Sequence, residues 1–162
     1  MIVNLQRKVK VGTRQFSGFV DLLADVVEEA HGGSFSVAFI SDRRMKELNS
    51  FFRGKTITTD VLSFPHEADE FESISPAFTR DANPSARADP LKAQGPTLIF
   101  LGDIVISIEQ AQRQAAENRL TFENEIKQLI LHGLLHLCGY DHETDDGEMN
   151  KRELKLRRKL KI

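Results

Sequence analysis

The sequence is poor in the residues that build cysteine-based sites and membrane spans. It has a single cysteine, which excludes an internal disulfide and any zinc site built on two or four cysteines. No apolar run approaches the roughly 20 residues that a transmembrane helix needs. The first eleven residues, MIVNLQRKVKV, contain no continuous apolar segment. We therefore expect no secretory signal, no membrane partner and a cytoplasmic location.

Neither charge nor aromatic content singles out a class of ligand. The chain has 22 Lys and Arg against 24 Asp and Glu, so its net charge of -2 does not indicate a nucleic-acid binder. It has no Trp and only one Tyr, and no aromatic platform for stacked bases can be identified from the sequence. The 162 residues, 40% of them hydrophobic, suffice for one domain with a buried core.

Segments typical of strands and helices alternate along the chain. Strands are predicted over 2–11, 35–40, 61–65 and 98–106. Helices are predicted from 16 to about 32, from Ser41 to Gly54, from Ser107 to about Asn118, from Thr121 to Gly139 and from Asp145 to the C-terminus. This order predicts an α+β (mixed α/β) fold, in which a small central mixed sheet of about four strands packs against about five helices.

Residues 67–97 interrupt the alternation. They contain four of the five prolines and few large apolar residues. Such a composition is typical of a long exposed loop. We expect a single domain over residues 1–162 that carries a loop insertion at about 67–97.

Three of the five histidines lie within eleven residues, in the run HGLLHLCGYDH. His132 and His136 are four residues apart, so both imidazoles project from one helix face and can reach one metal ion at about 2.0–2.1 Å. Gly139 permits a left-handed turn that returns His142 to the same face. The sequence predicts a metal site at the end of a helix, with three nitrogen ligands and an open fourth position, as in catalytic zinc centres.

Two neighbours of the histidines are further candidates. Cys138 lies about 200° round the helix from His136, so we expect it to point away from the metal as a small buried residue. Asp141 is the better candidate for a supporting role, in which its carboxylate accepts a hydrogen bond from an imidazole N–H.

The spacing HxxxHxxGxxH is also that of the metzincin proteases. In those enzymes a glutamate follows the first histidine and deprotonates the zinc-bound water, whereas this chain has Gly133. A small zinc peptidase therefore remains an alternative, and it would take its base from elsewhere, for example from Glu143.

The run from His132 to His142 resembles the H-G-x-L-H-L-x-G-Y-D-H signature of the YbeY family, which are bacterial metal-dependent endoribonucleases. Three further segments are similar: FRGK at 52–55, TDVLSFP at 59–65 and LGDIVIS at 101–107. The resemblance covers nearly the whole chain. The stretch from about 67 to 97 is longer than the family usually has at this place.

The resemblance implies a zinc-dependent endoribonuclease that cleaves single-stranded RNA, with one zinc ion per chain bound by the three histidines. It also implies maturation of the 3′ end of small-subunit (16S) ribosomal RNA and ribosome quality control, with ribosomal RNA and the ribosome or small-subunit proteins as partners. The family's functional arginine falls on Arg53, which would bind the scissile phosphate, and Lys55 is a weaker phosphate contact. From the residues alone, an ordinary surface arginine beside Gly54 is the favoured interpretation of Arg53.

The C-terminal segment is strongly basic, with seven Lys or Arg residues between 151 and 162 against one glutamate. One interpretation is contact with RNA phosphates, with Lys151, Arg152, Lys155 and Arg158 as candidates, and the other is a solvated helix face. A third functional hypothesis follows: a non-catalytic ribosome-associated factor could act through this basic helix. In that case the metal would only fix the loop after Gly139.

Overall fold

A computed structural model describes residues 1–66, 99–142 and 144–162. The described segments form four strands, β1 (Ile2–Asn4), β2 (Ser34–Ile40), β3 (Val61–Pro65) and β4 (Phe100–Ser107). They also form five helices, α1 (Arg14–Val26), α2 (Asp42–Arg53), α3 (Ile108–Glu117), α4 (Phe122–Leu137) and α5 (Glu148–Leu160), and a 3-10 helix at Glu28–Ala30. The insertion predicted at about 67–97 and Glu143 lie outside the described residues.

The four strands form one mixed sheet in the order β1-β2-β4-β3. β1 and β4 run parallel to β2, whereas β3 runs antiparallel to β4 and lies at one edge. The predicted mixed sheet packed with helices is therefore confirmed. The edge position matters for the site, because β3 is flanked by β4 on one side only.

Gly102 lies where the pairing of β4 with β2 is irregular and where the backbone of β3 comes close. The register between β2 and β4 shifts opposite Ser34 and Phe35, so one extra residue of β4 is accommodated there. Gly102 has a φ of 138°, and a Cβ at this position would lie 2.2 Å from the carbonyl oxygen of Phe64. Only glycine fits here.

Helices cover both faces of the sheet. On one face, alternate residues of β2 and β4 share the main core with residues of α1, α3, α4 and α5, and the strands contribute the buried Phe35, Val37, Phe39, Ile104 and Ile106. On the other face, α2 inserts Met45 into a smaller cluster with Ile40 and Leu62. The sheet thus places the C-terminal ends of α2 and α4 near the same edge strand.

The predicted helix starts at Ser41, Ser107 and Thr121 are confirmed. Each side chain accepts a hydrogen bond from the backbone N–H three residues further on, at 3.2–3.4 Å. These bonds satisfy N–H groups that have no partner within the helix. They fix where α2, α3 and α4 begin.

Two predicted elements are shorter than expected. β1 ends at Asn4 rather than Val11, because the buried Gln6 side chain organises a turn: its Oε1 accepts from the N–H groups of Lys8 and Val9. The first helix ends at Val26, and a separate 3-10 helix fills the interval before Gly32.

The last helix begins later than predicted. α5 starts at Glu148, with Gly147 as its N-cap, instead of at Asp145. The Asp145 carboxylate still accepts from the N–H groups of Gly147 and Met149, at 2.7 and 2.9 Å. Asp145 therefore caps the N-terminus of α5 although it precedes the helix by three residues.

Candidate metal centre and the cavity beside it

Helix α4 presents His132 and His136 on the same face near its C-terminal end. Their Nε2 atoms lie 3.2 Å apart. The third histidine, His142, completes a cluster in which ligand atoms of all three residues lie within 4.8 Å of one another. Within the described residues, this is the one group of three or more His, Cys, Asp or Glu side chains with such geometry. The structure therefore brings together the three residues predicted to bind a metal.

The turn after α4 carries His142 back toward the other two. α4 ends at Leu137, and Gly139 follows with a φ of 91°, in the left-handed region that favours glycine. The backbone carbonyl of Tyr140 then accepts a hydrogen bond from Nδ1 of His136 at 2.9 Å. The predicted turn at Gly139 is confirmed, and it also orients one imidazole.

A buried carboxylate orients the other helical imidazole. Oε2 of Glu153, on α5, lies 3.1 Å from Nδ1 of His132. Glu153 is 7% exposed and also accepts from the Arg157 guanidinium. Burial raises the pKa of Glu153, but the hydrogen bond from His132 and the positive charge of Arg157 outweigh it and hold that pKa below its usual value. Glu153 is therefore an ionised acceptor at neutral pH.

These two contacts define which ring nitrogens are free to bind a metal. A carbonyl oxygen and an ionised carboxylate can only accept, so the Nδ1 atoms of His132 and His136 carry the hydrogens. Both Nε2 atoms then point lone pairs into the space between the rings. Two nitrogens on one tetrahedral zinc ion lie about 3.3 Å apart, close to the 3.2 Å observed. The donor set thus fits a tetrahedral ion.

The surroundings of His136 favour its neutral imidazole, which is the form that binds a metal ion. Burial lowers the pKa of His136, and the neighbouring His132 lowers it further, while Asp141 acts weakly in the opposite direction. A neutral imidazole keeps its lone pair at neutral pH. Without a cation, the two facing lone pairs would repel each other.

A second network ties the turn after α4 to α5. The hydroxyl of Tyr140 donates to Oε1 of Glu29 at 2.9 Å, and Arg152 grips both oxygens of that carboxylate at 2.7 and 2.8 Å. The hydrogen bond from Arg152 lowers the pKa of Glu29 to about 2. Two successive residues of α5 therefore support the site. Arg152 holds the turn after α4 through Glu29 and Tyr140, and Glu153 holds the His132 ring.

The three histidines line a cavity of about 600 Å³ that reaches the edge strand β3. Its other walls include Arg53 at the end of α2, and Asp141 in the turn after α4. The remaining lining residues are Thr59, Asp60, Val61, Leu62, Ser63, Pro65, Gly139 and Tyr140. A cationic side chain and three potential metal ligands therefore share one open space.

Two interactions fix the end of α2 that presents Arg53. Gly54 adopts a left-handed conformation with a φ of 66° and terminates the helix just after Arg53. The buried Asn49 side chain donates to the carbonyl of Ile57 at 2.8 Å, which ties the following loop back onto α2. Arg53 itself is exposed and free to meet a ligand in the cavity.

The residue that replaces a protease's glutamate packs against the sheet. A Cβ on Gly133 would lie 2.7 Å from Cγ2 of Ile104, so α4 crosses β4 closely at this point. The carbonyl oxygen of Gly133 accepts from the hydroxyl of Ser63 at 3.2 Å. No side chain fits at position 133 without displacing the Ile104 side chain, which accounts for the glycine in HGLLH.

The comparison with known proteins settles the family. Residues 1–161 match the family model described as Endoribonuclease YbeY. The chain belongs to the YbeY family. A family member from Thermodesulfovibrio yellowstonii, named Endoribonuclease YbeY, is 32% identical over 99% of this chain and 96% of its own length. One of the same name from Leptospira interrogans is 41% identical over 74% and 79% of the two chains.

A solved structure agrees with the fold. The solution structure of a Thermotoga maritima protein matches with a TM-score of 0.54 and 29% sequence identity. The match covers 96% of this chain and 85% of the other. The resemblance to the YbeY family inferred from the histidine signature is confirmed by the family match over residues 1–161.

The cations predicted to contact RNA differ in their exposure and in their partners. Lys55, Lys151, Lys155 and Arg158 are exposed. Arg152 instead forms the ion pair with Glu29, so its guanidinium is already engaged in holding the site. Its role in the structure is to support the histidine turn.

Sequence reasoning assigned the support of an imidazole to Asp141. The structure places Asp141 in the cavity wall, and its supporting role stays a prediction. Glu153 and the Tyr140 carbonyl contact the Nδ1 atoms of His132 and His136. Glu153 is the only acid in the basic stretch 151–162, but no pattern in the sequence links it to His132. Cys138 is partly buried, and burial raises its pKa to about 11, which agrees with the predicted inert packing role.

Proposed function

We propose that this chain is a zinc-dependent endoribonuclease that cleaves single-stranded RNA. Membership of the YbeY family supports the reaction class. The observation that carries the proposal is the shared cavity, in which three histidine nitrogens and Arg53 face the same space. A zinc ion bound by His132, His136 and His142 would supply a Lewis acid for the negative charge that develops on the scissile phosphate.

The chain's own residues have distinct parts in this proposal. Arg53 binds a non-bridging phosphate oxygen, and its fork of N–H donors suits two-point contact. Glu153 and the Tyr140 carbonyl hold the proton on Nδ1 of two histidines and so keep both Nε2 atoms available. Asp141 supports the His136 side of the cavity through its charge.

Exposed cations extend the proposed RNA contact beyond the cavity. Lys151, Lys155 and Arg158 follow one another at helical spacing on α5 and are exposed, and Lys55 lies two residues after Arg53. Such side chains contact phosphates without reading sequence. We therefore expect binding to weaken steeply as salt concentration rises.

The biological role that we propose is maturation of the 3′ end of 16S ribosomal RNA and ribosome quality control, in the cytoplasm and with the ribosome or small-subunit proteins as partners. In the part of the chain that the structure describes, no helix is long and apolar enough to cross a membrane. In cells that lack the protein, 16S precursors with unprocessed 3′ ends should accumulate. Wild-type protein should restore processing, and His136→Ala should not.

The alternative of a zinc peptidase has less support. Position 133 has no space for a glutamate, because α4 lies against Ile104 there. The other candidate base, Glu143, lies outside the described residues. Incubation with an unstructured peptide should therefore give no cleavage under conditions in which RNA is cut.

The decisive biochemical experiment uses purified protein and a short single-stranded RNA. Cleavage should occur with zinc, stop with chelator and resume when zinc is restored. Absence of RNA cleavage by protein that holds one zinc ion would contradict the proposal and favour a non-catalytic ribosome-associated factor. Peptide cleavage instead of RNA cleavage would favour the peptidase.

A further inference from the structure

Two adjacent aromatic side chains at the end of α2 are exposed to solvent. Phe51 is 82% exposed and Phe52 57% exposed. Their rings contact each other edge to face, with centroids 4.9 Å apart, and Phe52 contacts Phe64 of β3 at the same centroid distance. We call these three residues the aromatic ridge.

Packing of the protein core does not account for the exposed rings of Phe51 and Phe52. α2 is held to the sheet by Met45, Leu48 and the buried Asn49, which lie on its inner side. Phe64 is partly buried against that cluster, and Phe52 rests on Phe64. Among the described residues, the ring of Phe51 contacts that of Phe52, and most of the Phe51 side chain is exposed to solvent. Single exposed apolar residues are common, but a contiguous pair of rings is a frequent mark of a binding surface.

The ridge continues directly into the cavity. Arg53, which lines the cavity, follows Phe52 in the chain. Phe64 lies between Ser63 and Pro65, and both of these residues line the cavity as well. A polymer that leaves the cavity past the end of α2 therefore meets the ridge next.

Charge around the ridge is positive. The segment 42–55 contains five Lys or Arg and two acids. One of the acids, Asp42, is turned inward and accepts from the hydroxyls of Thr58 and Ser107. The other acid, Glu47, pairs with Arg43 and Arg44, and it lines a shallow groove beside Phe51 together with Arg43 and Lys46. The other cations of the segment are Lys46, Arg53 and Lys55. A surface that combines aromatic rings with cations suits a polyanion that carries flat bases, and suits an apolar protein partner less well.

We infer that Phe51 and Phe52 form a base-stacking platform for the single-stranded RNA whose backbone passes Arg53, an inference that rests on the proposed endoribonuclease function. Every base has a π face, so stacking tolerates any sequence while requiring that the base be unpaired. The platform therefore accounts for preference for single strands without any reading of base edges. The sequence alone did not reveal it, because the aromatic residues are phenylalanines, which are usually buried.

The test measures affinity of metal-free protein for a short single-stranded RNA oligonucleotide by fluorescence anisotropy, so that no cleavage interferes. Phe51→Ala should weaken binding by roughly 5- to 150-fold, the range for loss of one stacked base. Phe51→Trp should bind at least as tightly as wild type, whereas Phe51→Leu, which is apolar without an aromatic ring, should remain weak. Leu22→Ala removes another exposed apolar side chain, from α1, and should leave RNA affinity unchanged.

A second oligonucleotide separates stacking from charge. An abasic oligonucleotide of the same length keeps its phosphates, so wild type and Phe51→Ala should bind it equally weakly. Equal affinity of both proteins for the base-carrying RNA would overturn the platform. If wild type still cleaves RNA in that case, the proposed function stands and only the stacking inference fails. If Phe51→Ala instead changes the association state of the protein but not its RNA affinity, the ridge is a protein-docking surface and the inference is wrong.

Discussion

The two walls of the cavity are built in opposite ways. On the histidine wall, polar atoms are held by fixed partners: the Nδ1 atoms of His132 and His136 meet Glu153 and a backbone carbonyl. On the α2 side, Arg53 lines the cavity and Phe51 lies two residues before it, outside the cavity lining, and both side chains are exposed. Metal ligands must hold their lone pairs in place before the ion arrives, whereas groups that bind a polymer must be open to it. The histidine wall is therefore preorganised, and the α2 side is open to a ligand.

Loss of a histidine should have the largest effect. His136→Ala leaves two side-chain ligands, so we expect about one zinc ion per chain to be lost and RNA cleavage to fall to background. Elemental analysis of purified protein and a cleavage assay measure the two quantities. His31→Asn alters an exposed histidine at a position where asparagine tolerates the left-handed backbone, and it should leave both unchanged.

Loss of Arg53 should lower the rate of RNA cleavage and leave the zinc content unchanged. Arg53→Ala should keep its zinc and lose about 10²- to 10³-fold in cleavage rate, because a positive group that meets developing phosphate charge is removed. Arg7→Ala, which removes an exposed arginine near β1, is the matched control. Unchanged cleavage in Arg53→Ala would assign Arg53 to the ordinary surface.

The helical histidine pair, the helix caps and the turn at Gly139 were predictable because they are set by residues near each other in the chain. Three helix starts and the return of His142 follow from such local patterns. Glu153 was not predictable in its role, since it reaches His132 only through the packing of α5 on α4. The aromatic ridge escaped prediction for the same reason: exposure of a phenylalanine depends on what the rest of the fold leaves uncovered.

Loss of the Glu153 charge should lower zinc affinity less than loss of a histidine ligand does. Glu153→Gln keeps the shape of the side chain but removes the charge that orients His132, and zinc affinity should fall about 10- to 100-fold. Competition with a chelator of known affinity measures this change. Glu117→Gln, at the exposed end of α3, is the control. Equal zinc affinity in both variants would show that Glu153 serves packing alone.

The smallest effect concerns acid stability. The pKa of Glu29 is about 2 in the folded protein against 4.5 as its usual value, so its ion pair with Arg152 stabilises the fold fully above about pH 4.5. That contribution is lost as the pH falls toward 2. Glu29→Gln should therefore melt below wild type at neutral pH, and the gap should narrow as the pH falls below about 4. The neighbouring exposed Glu28→Gln should show no such narrowing, and a pH-independent gap for Glu29→Gln would contradict the ion-pair account.

The most direct test of the central claim compares zinc occupancy with cleavage of single-stranded RNA in the same samples. Wild-type protein is titrated with chelator, and each sample is assayed for bound zinc and for cleavage rate. The account predicts that the rate falls in proportion to occupancy, from about one zinc ion per chain to none, and returns when zinc is added back. Cleavage that persists when no metal is bound would contradict it.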